Sequence, residues 1–234
     1  MGEKTSEIIQ AAMKNGRVNL LETEAKAICA DYRMPIPPFE LAKSAEQASS
    51  VAQKLGYPIV LKIVSQDILH KTEAGGVLLG IQNPVDVRNG FSRIVDNARR
   101  YNSNAKLEGV LVQRMAPPGR EIIIGGLVDP QFGQTLMFGL GGVFVEVLRD
   151  VTLRIAPIVK QDAQEMIREI KAYPILKGFR GQPPADEDAI VDILLSASDL
   201  MMENQDINQM DLNPVMIYDK GASIVDARMI LQRR

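Results

Sequence analysis

The residues best suited to chemistry in this chain gather around its single histidine. Lys62 stands in the apolar run Pro58-Ile59-Val60-Leu61-Lys62-Ile63-Val64, and a polar loop follows with His70, Lys71, Glu73 and the pair Gly75-Gly76. The run is short and β-branched enough to be a buried strand. A lysine inside it needs a partner, because desolvation penalises an unpaired ammonium. Adjacent glycines let backbone approach a ligand closely and reach dihedrals closed to other residues. Lysine, imidazole and double glycine together suit the handling of a phosphate. Without its surroundings the stretch equally fits a solvated surface histidine, a lysine snorkelling from a strand end and an ordinary glycine turn.

A second group lies near the end of the chain. In Asp211-Leu212-Asn213-Pro214 the first and third residues are two apart and share one face of a strand. A hairpin turn centred on Asp219-Lys220 places Asn213 opposite Asp226, and a bulge at Gly221 would shift that register by one. Two carboxylates and an amide oxygen are hard ligands, the type Mg2+ takes while keeping waters and phosphate oxygens in its other positions. The alternative is that Asp211 and Asn213 hydrogen-bond their own strand edge. A third group is the strand Gly109–Met115 running into Ala116-Pro117-Pro118-Gly119-Arg120-Glu121. Backbone groups at such a strand end can read an adenine, and an ordinary strand and turn fits the same residues.

The elements that must carry these groups follow from periodicity. Helices are expected over Ser6–Lys14, Glu22–Tyr32, a segment capped by Ser44 with Gln47 completing a capping box, Pro84–Tyr101, Asp162–Ala172 and Asp186–Glu203. Strands are expected over Phe39–Ala42, the Lys62 run, Val77–Ile81, Gly109–Met115, Glu121–Val128, Thr135–Phe138, Val143–Val147 and Thr152–Ala156. The hairpin Gln209–Tyr218 and Ala222–Ala227 closes the chain. The mixture lacks the steady β-α alternation of a doubly wound sheet, so the fold class is α+β, with two lobes. The expected division is an N-terminal helical segment, 1–21, a first lobe with the His70 loop, 22–105, and a second with the acidic hairpin, 106–234. A cleft between such lobes is a favoured ligand site.

Composition bounds the partners. The 234 residues carry a formal net charge of −2, which advertises neither nucleic acid nor an anionic membrane. No apolar run reaches spanning length, and the N-terminus lacks the apolar core of a signal peptide. The single cysteine, Cys29, excludes an internal disulfide and a cysteine metal cage. The expectation is a cytoplasmic protein.

Lys62, the loop His70-Lys71-Thr72-Glu73-Ala74-Gly75-Gly76-Val77, the hinge Leu111–Glu121, the turn Gly139-Leu140-Gly141-Gly142 and Asp211-Leu212-Asn213-Pro214 occur in the order and spacing of the ATP-grasp fold. More narrowly, the chain resembles the beta subunits of ADP-forming acetyl-CoA (acyl-CoA) synthetases, relatives of succinyl-CoA synthetase. The resemblance implies an ATP-grasp fold with the nucleotide cleft between two α+β lobes, and ATP or ADP with Mg2+ as cofactors. It makes His70 a phosphohistidine relay, assisted by Lys62 at the nucleotide phosphates and by the backbone of Gly75 and Gly76. Gln113, Arg114, Met115 and Ala116 become the adenine hinge, and Glu121 the ribose ligand. Glu146 and Arg154 face the phosphates. Asp211, Asn213 and Asp226 hold the metal.

The implied reaction converts acyl-CoA, ADP and phosphate to carboxylic acid, CoA and ATP. A histidine of an alpha subunit would take the phosphoryl group from an acyl phosphate and pass it to the beta-subunit histidine. Succinyl-CoA synthetase beta chains carry a further C-terminal ligase domain, whereas this sequence stops just after the metal hairpin and shows no CoA-binding glycine pattern. The resemblance therefore implies a partner alpha subunit with the CoA and acyl sites, two alpha and two beta chains in all. Two other readings stand beside it: a free-standing ATP-grasp carboxylate ligase, and a non-catalytic nucleotide-sensing module.

Overall fold

The computed structural model describes residues 2–142, 145, 147–178, 181 and 183–232. Its elements run, in chain order, α1 (Glu3–Lys14), α2 (Glu22–Asp31), β1 (Phe39–Ala42), α3 (Ala45–Leu55), β2 (Ile59–Ser65), β3 (Val77–Ile81), α4 (Pro84–Tyr101), β4 (Leu107–Arg114), β5 (Arg120–Asp129), β6 (Gly133–Leu140) and β7 (Val151–Ile155). Then come α5 (Lys160–Glu169), α6 (Tyr173–Leu176), α7 (Glu187–Glu203), β8 (Ile207–Ile217), β9 (Ala222–Ile224) and β10 (Ala227–Leu231). No helix of the described residues is long and apolar enough to cross a membrane.

The chain forms two compact units. One comprises residues 21–23 and 37–116, the other 1–20, 24–36 and 117–234. The division thus falls at Ala116/Pro117 and not near residue 105. The physical reason is β4, which pairs antiparallel with β1 on one side and with β2 on the other, and so belongs to the first sheet. The expected N-terminal segment does not stand apart either: Ile9, Ala12, Ala25 and Ile28 lie in the same core as the second sheet.

The smaller unit is a four-stranded antiparallel sheet in the order β1-β4-β2-β3. Leu61, Ile63, Val110 and Val112 form one core with Val51, Ala52, Val87 and Ile94 of α3 and α4. The other face of β2 is buried as well, which explains a continuous apolar run where a half-exposed strand would alternate. The two helices start where side chains can satisfy free N–H groups. Ser44 Oγ accepts from the Gln47 amide at 3.2 Å, while the Gln47 side chain turns back to the Lys43 N–H at 2.8 Å, one residue short of a capping box. Asn83 accepts from Val85 and Asp86 ahead of Pro84.

The larger unit holds a six-stranded sheet in the order β10-β8-β5-β6-β7, with β9 paired to β8. On one face Ile124, Leu136, Phe138 and Leu212 join Met166 and Ile167 of α5 and Leu194, Ala197 and Met201 of α7. Asp186 caps α7 through the Ala189 N–H and also accepts from Gly221 at 2.7 Å, tying the helix to the turn between β8 and β9. Those bonds hold its carboxyl below the usual range. The expected strand Val143–Val147 does not form at its described positions: Val145 has helical and Val147 turn backbone. Val143, Phe144 and Glu146 lie outside the described residues. Cys29 is fully buried, and burial pushes its thiol up to about 12, which leaves it a small core residue.

Candidate active site

The partner that Lys62 needs is Glu22, in the first turn of α2. Lys62 Nζ donates to Glu22 Oε1 at 2.7 Å, with only 6% of the lysine side chain and 4% of the glutamate side chain exposed. The second carboxylate oxygen, Oε2, accepts from Lys71 Nζ. One buried carboxylate therefore holds the strand lysine and the lysine that follows His70. The sequence reading overlooked Glu22. Its available signal was an acidic residue at a helix start, the ordinary place for one.

The His70 loop is closed by its own backbone. Gly76 N–H donates to Lys71 O at 2.7 Å, Ala74 N–H to His70 O at 3.1 Å, and Ile63 N–H of β2 to Gly76 O at 2.8 Å. Ile68 and Ala74 are buried and fix its two ends, while the His70 side chain is 64% exposed, with Glu73 Oε1 3.9 Å from Nδ1. The paired glycines are required for closeness. A Cβ on Gly76 would stand 2.4 Å from Ile63 Cγ2, and Gly75 has φ +60° with Asn97 Nδ2 2.8 Å from its Cβ position. Gly76→Ala is therefore expected to displace the loop from β2. Forcing an extra methyl against a buried isoleucine costs about 1–3 kcal/mol, to be read as a drop of several degrees in melting temperature.

Gln113 is a buried residue inside β4, opposite Val60 on one side and Phe39 on the other. It stands with Val60, Lys62 and Leu111 on the sheet face turned away from α3 and α4, since Lys62 pairs with Leu111. The Arg114 N–H donates to Pro38 O and the Met115 N–H to Pro58 O, so those two amide donors of the expected hinge are engaged. Arg114 is exposed, and Met115 and Ala116 are half-buried where the first unit ends.

In the larger unit the hairpin register is the one the turn dictates. Val215 faces Ile224, Leu212 faces Ala227 and Asp211 faces Arg228, so Asn213 lies beside Asp226, whose carbonyl accepts the Asn213 N–H at 3.2 Å. Gly221 adds no bulge to this pairing. On the β5 side the register does shift, between Ile122 and Ile124, and the Asn213-Pro214 step opposite it is cis. Asp211 and Asn213 flank buried Leu212 on the face away from the helices. Glu121 shares that face by alternation along β5, because Gly125 pairs with Asp211. Its carbonyl accepts the Gly141 N–H at 2.7 Å.

Arg154 does not join them. It pairs with Leu136, in register with Gly126 and Met210, and so lies on the helix-covered face. Its guanidinium binds Glu169 and approaches Glu165 of α5. These bonds raise its pKa further and engage it within the fold. Glu146, the other residue expected at the phosphates, lies outside the described residues.

Magnesium can be tested against the acidic pair. Among the described residues Asp211 Oδ1, which is buried, has no hydrogen-bond partner. Burial and the Asp226 carboxylate push the Asp211 carboxyl upward, against the opposing pull of Arg228. A shielded oxygen with no donor, next to a second carboxylate, is what a cation would satisfy. Among the described residues no three His, Cys, Asp or Glu side chains form a cage. Asp211, Asp226 and the Asn213 amide therefore suit an ion that shares its other positions with water and phosphate.

Comparison with known proteins gives the family of the chain. A family model described as an ATP-grasp domain matches residues 11–231. The chain is 50% identical to the beta subunit of ADP-forming acetate–CoA ligase I of Pyrococcus furiosus, over 97% of this chain and 98% of that one. It is 44% identical to the ADP-forming acetate–CoA ligase I of Archaeoglobus fulgidus, covering 98% of this chain but 33% of that longer one. Acetyl-coenzyme A synthetase 1 of Candidatus Korarchaeum cryptofilum, solved with coenzyme A and Ca-AMPCP, superposes with a TM-score of 0.96 at 50% identity, over 97% of this chain and 100% of the matched chain. A second crystal of that enzyme, with coenzyme A and Mg-AMPPCP, has its phosphohistidine segment pointing towards the nucleotide binding site; it covers the same shares at a TM-score of 0.87 and 46% identity. The chain belongs to the ATP-grasp family, among the beta subunits of ADP-forming acetate–CoA ligases.

Proposed function

We propose that this chain is the nucleotide-handling subunit of an ADP-forming acyl-CoA ligase and that His70 carries its phosphoryl group. The observation that supports this most directly is the placement of the only imidazole in the chain. It stands exposed on a loop held by the glycine pair and followed by a lysine bonded to the same carboxylate as Lys62. A neutral imidazole nitrogen attacks phosphorus readily and leaves readily, as a relay requires.

In the direction of ATP formation, an imidazole nitrogen of His70 attacks a phosphoryl group delivered by the partner; a P–N bond forms as the donor's bond to phosphorus breaks. A terminal oxygen of ADP then attacks the same phosphorus. The P–O bond of ATP forms, the P–N bond breaks, and the imidazole is restored. Lys62 holds phosphate oxygens, and the Gly75-Gly76 backbone lets them approach. Glu121 takes the ribose and the Gln113–Ala116 segment the adenine. Asp211, Asn213 and Asp226 hold Mg2+, which when bound supplies neutralising charge at the phosphate oxygens. Positioning and charge are most of what phosphoryl transfer asks of a protein.

The CoA and acyl sites lie on an alpha subunit. The name of the Pyrococcus relative and the greater length of the Archaeoglobus one support such a partner. An assembly of two alpha and two beta chains, whose mass light scattering would give, completes this reading. A single buried thiol suits a cytoplasmic enzyme. The deciding experiment is incubation with γ-labelled ATP and Mg2+, with and without candidate alpha subunits, then mapping of the label. Acid-labile phosphate on His70 is expected. Turnover without any partner, or label elsewhere, would overturn the proposal.

A further inference from the structure

The relay leaves Glu22 and Lys71 without a task, although the fold gives them well-defined places. Glu22 spends one oxygen on each of two ammonium groups, Lys62 and Lys71. Its side chain is nearly inaccessible, and that of Lys71 is 19% exposed. Buried charges are retained only when paired, and removing one partner of a buried pair leaves an uncompensated charge. An amide cannot stand in here, since its NH2 would face an ammonium. Lys71 is also held from its backbone, because its carbonyl accepts the Gly76 N–H. The residue after His70 is thus fixed at both ends, by the glycine pair and by the carboxylate that sets Lys62.

We propose that Glu22 is a positioning residue for phosphoryl transfer: it couples Lys62 to the His70 segment and presents Lys71 as the cation that accompanies the phosphoryl group on His70. This rests on the His70 relay proposed above. Lys71, the more exposed ammonium, is the one placed to turn from carboxylate to phosphate, as charge-assisted N–H···O bonds of similar strength exchange. A phosphoryl group in transfer spreads its charge over three oxygens, which one lysine cannot cover. The coupling also makes the two lysines act together, because any shift of Glu22 moves both.

The test uses the complete enzyme of alpha and beta chains with Glu22→Gln, Lys71→Met, Lys71→Arg and the Glu22→Gln/Lys71→Met pair. Single-turnover labelling of His70 by ATP is compared with ATP affinity from titration calorimetry. Misplacement of reacting groups by about 1 Å costs on the order of a hundredfold in rate. Glu22→Gln and Lys71→Met should each slow labelling by roughly that factor while ATP affinity changes far less. The double variant should be no slower than the worse single one, since residues of one network are not additive. Lys71→Arg, which keeps the charge, should restore part of the rate. Wild-type labelling rates in both single variants would overturn the inference while leaving the relay intact, and so would losses that multiply in the double variant. Equal loss of affinity and rate would make Glu22 a structural residue only. An enzyme whose wild-type His70 takes no label would remove the relay itself and this inference with it. Lys71→Met leaves the Lys62–Glu22 pair in place, so it decides the matter even where Glu22→Gln fails to fold.

Discussion

Replacing His70 by alanine should lower acyl-CoA-driven ATP formation by about 10⁴-fold or more, the scale seen when a covalent nucleophile is deleted. The same change should leave the melting temperature and ATP affinity where they were. Both halves follow from the geometry. The ring is 64% exposed, so it contributes no core packing, and substitutions at such sites usually stay within about 0.5 kcal/mol. Its neighbours keep the loop closed without it: the bonds from Gly76 to Lys71, from Ala74 to the His70 carbonyl and from Ile63 to Gly76 all use backbone atoms. Calorimetry, thermal unfolding and a coupled assay with the alpha subunit would read the three quantities. A residual rate near wild type would exclude a phosphohistidine on this chain, because it has no other histidine to take over.

How far the sequence speaks depends on how local the determining physics is. α4 runs from Pro84 to Tyr101 as its periodicity predicts, because Asn83 and Pro84 mark its start with side-chain and φ preferences read within one turn. The neighbourhood of Asn213 and Asp226 was equally legible, since both flank a tight turn at Asp219-Lys220; their register, which a bulge at Gly221 could have shifted, follows that turn from Ile217 opposite Ala222 to Gln209 opposite Ile230. Local rules do not carry across a sheet. Arg154 lies four strands from β10, and only the chain of pairings through Leu136, Gly126 and Met210 shows that it stands on the helix side. The lobe boundary was misplaced for a similar reason. A shift towards glycine-rich strands marks a change in composition, while membership of a sheet is decided by hydrogen bonds that β4 makes backward to β1 and β2. Glu22 illustrates the limit most clearly. Lys62 announced that it needed a counter-charge, but the partner lies 40 positions away and no periodicity connects them.

Asp211→Asn should have opposite effects on the free chain and on the nucleotide complex. In the free chain the Asp211 carboxylate is a liability: Oδ1 is shielded from water without a donor, and Asp226 adds repulsion. An amide keeps the shape, removes the charge and eases that repulsion, so metal-free stability should rise by up to about 1 kcal/mol, part of the penalty for an unsatisfied buried polar group. In the complex the proposed metal site would make the same carboxylate an asset, because a cation at Asp211 and Asp226 would repay the desolvation. The wild-type chain should therefore gain stability with Mg2+ and ATP, by about 2.7 kcal/mol when the ligand is a hundred times its dissociation constant, and the variant should gain far less. Turnover should fall with it, because positioned charge at the phosphates is most of the catalysis. Thermal unfolding of both proteins, with and without Mg2+ and ATP, gives all four values at once. If the variant melts lower than wild type in the absence of metal, the carboxylate is a structural partner of its strand neighbours, as Arg228 opposite it would allow. A crossing of the two curves on adding Mg2+ and ATP, with the variant the more stable before and the less stable after, is the outcome that a metal-holding Asp211 demands.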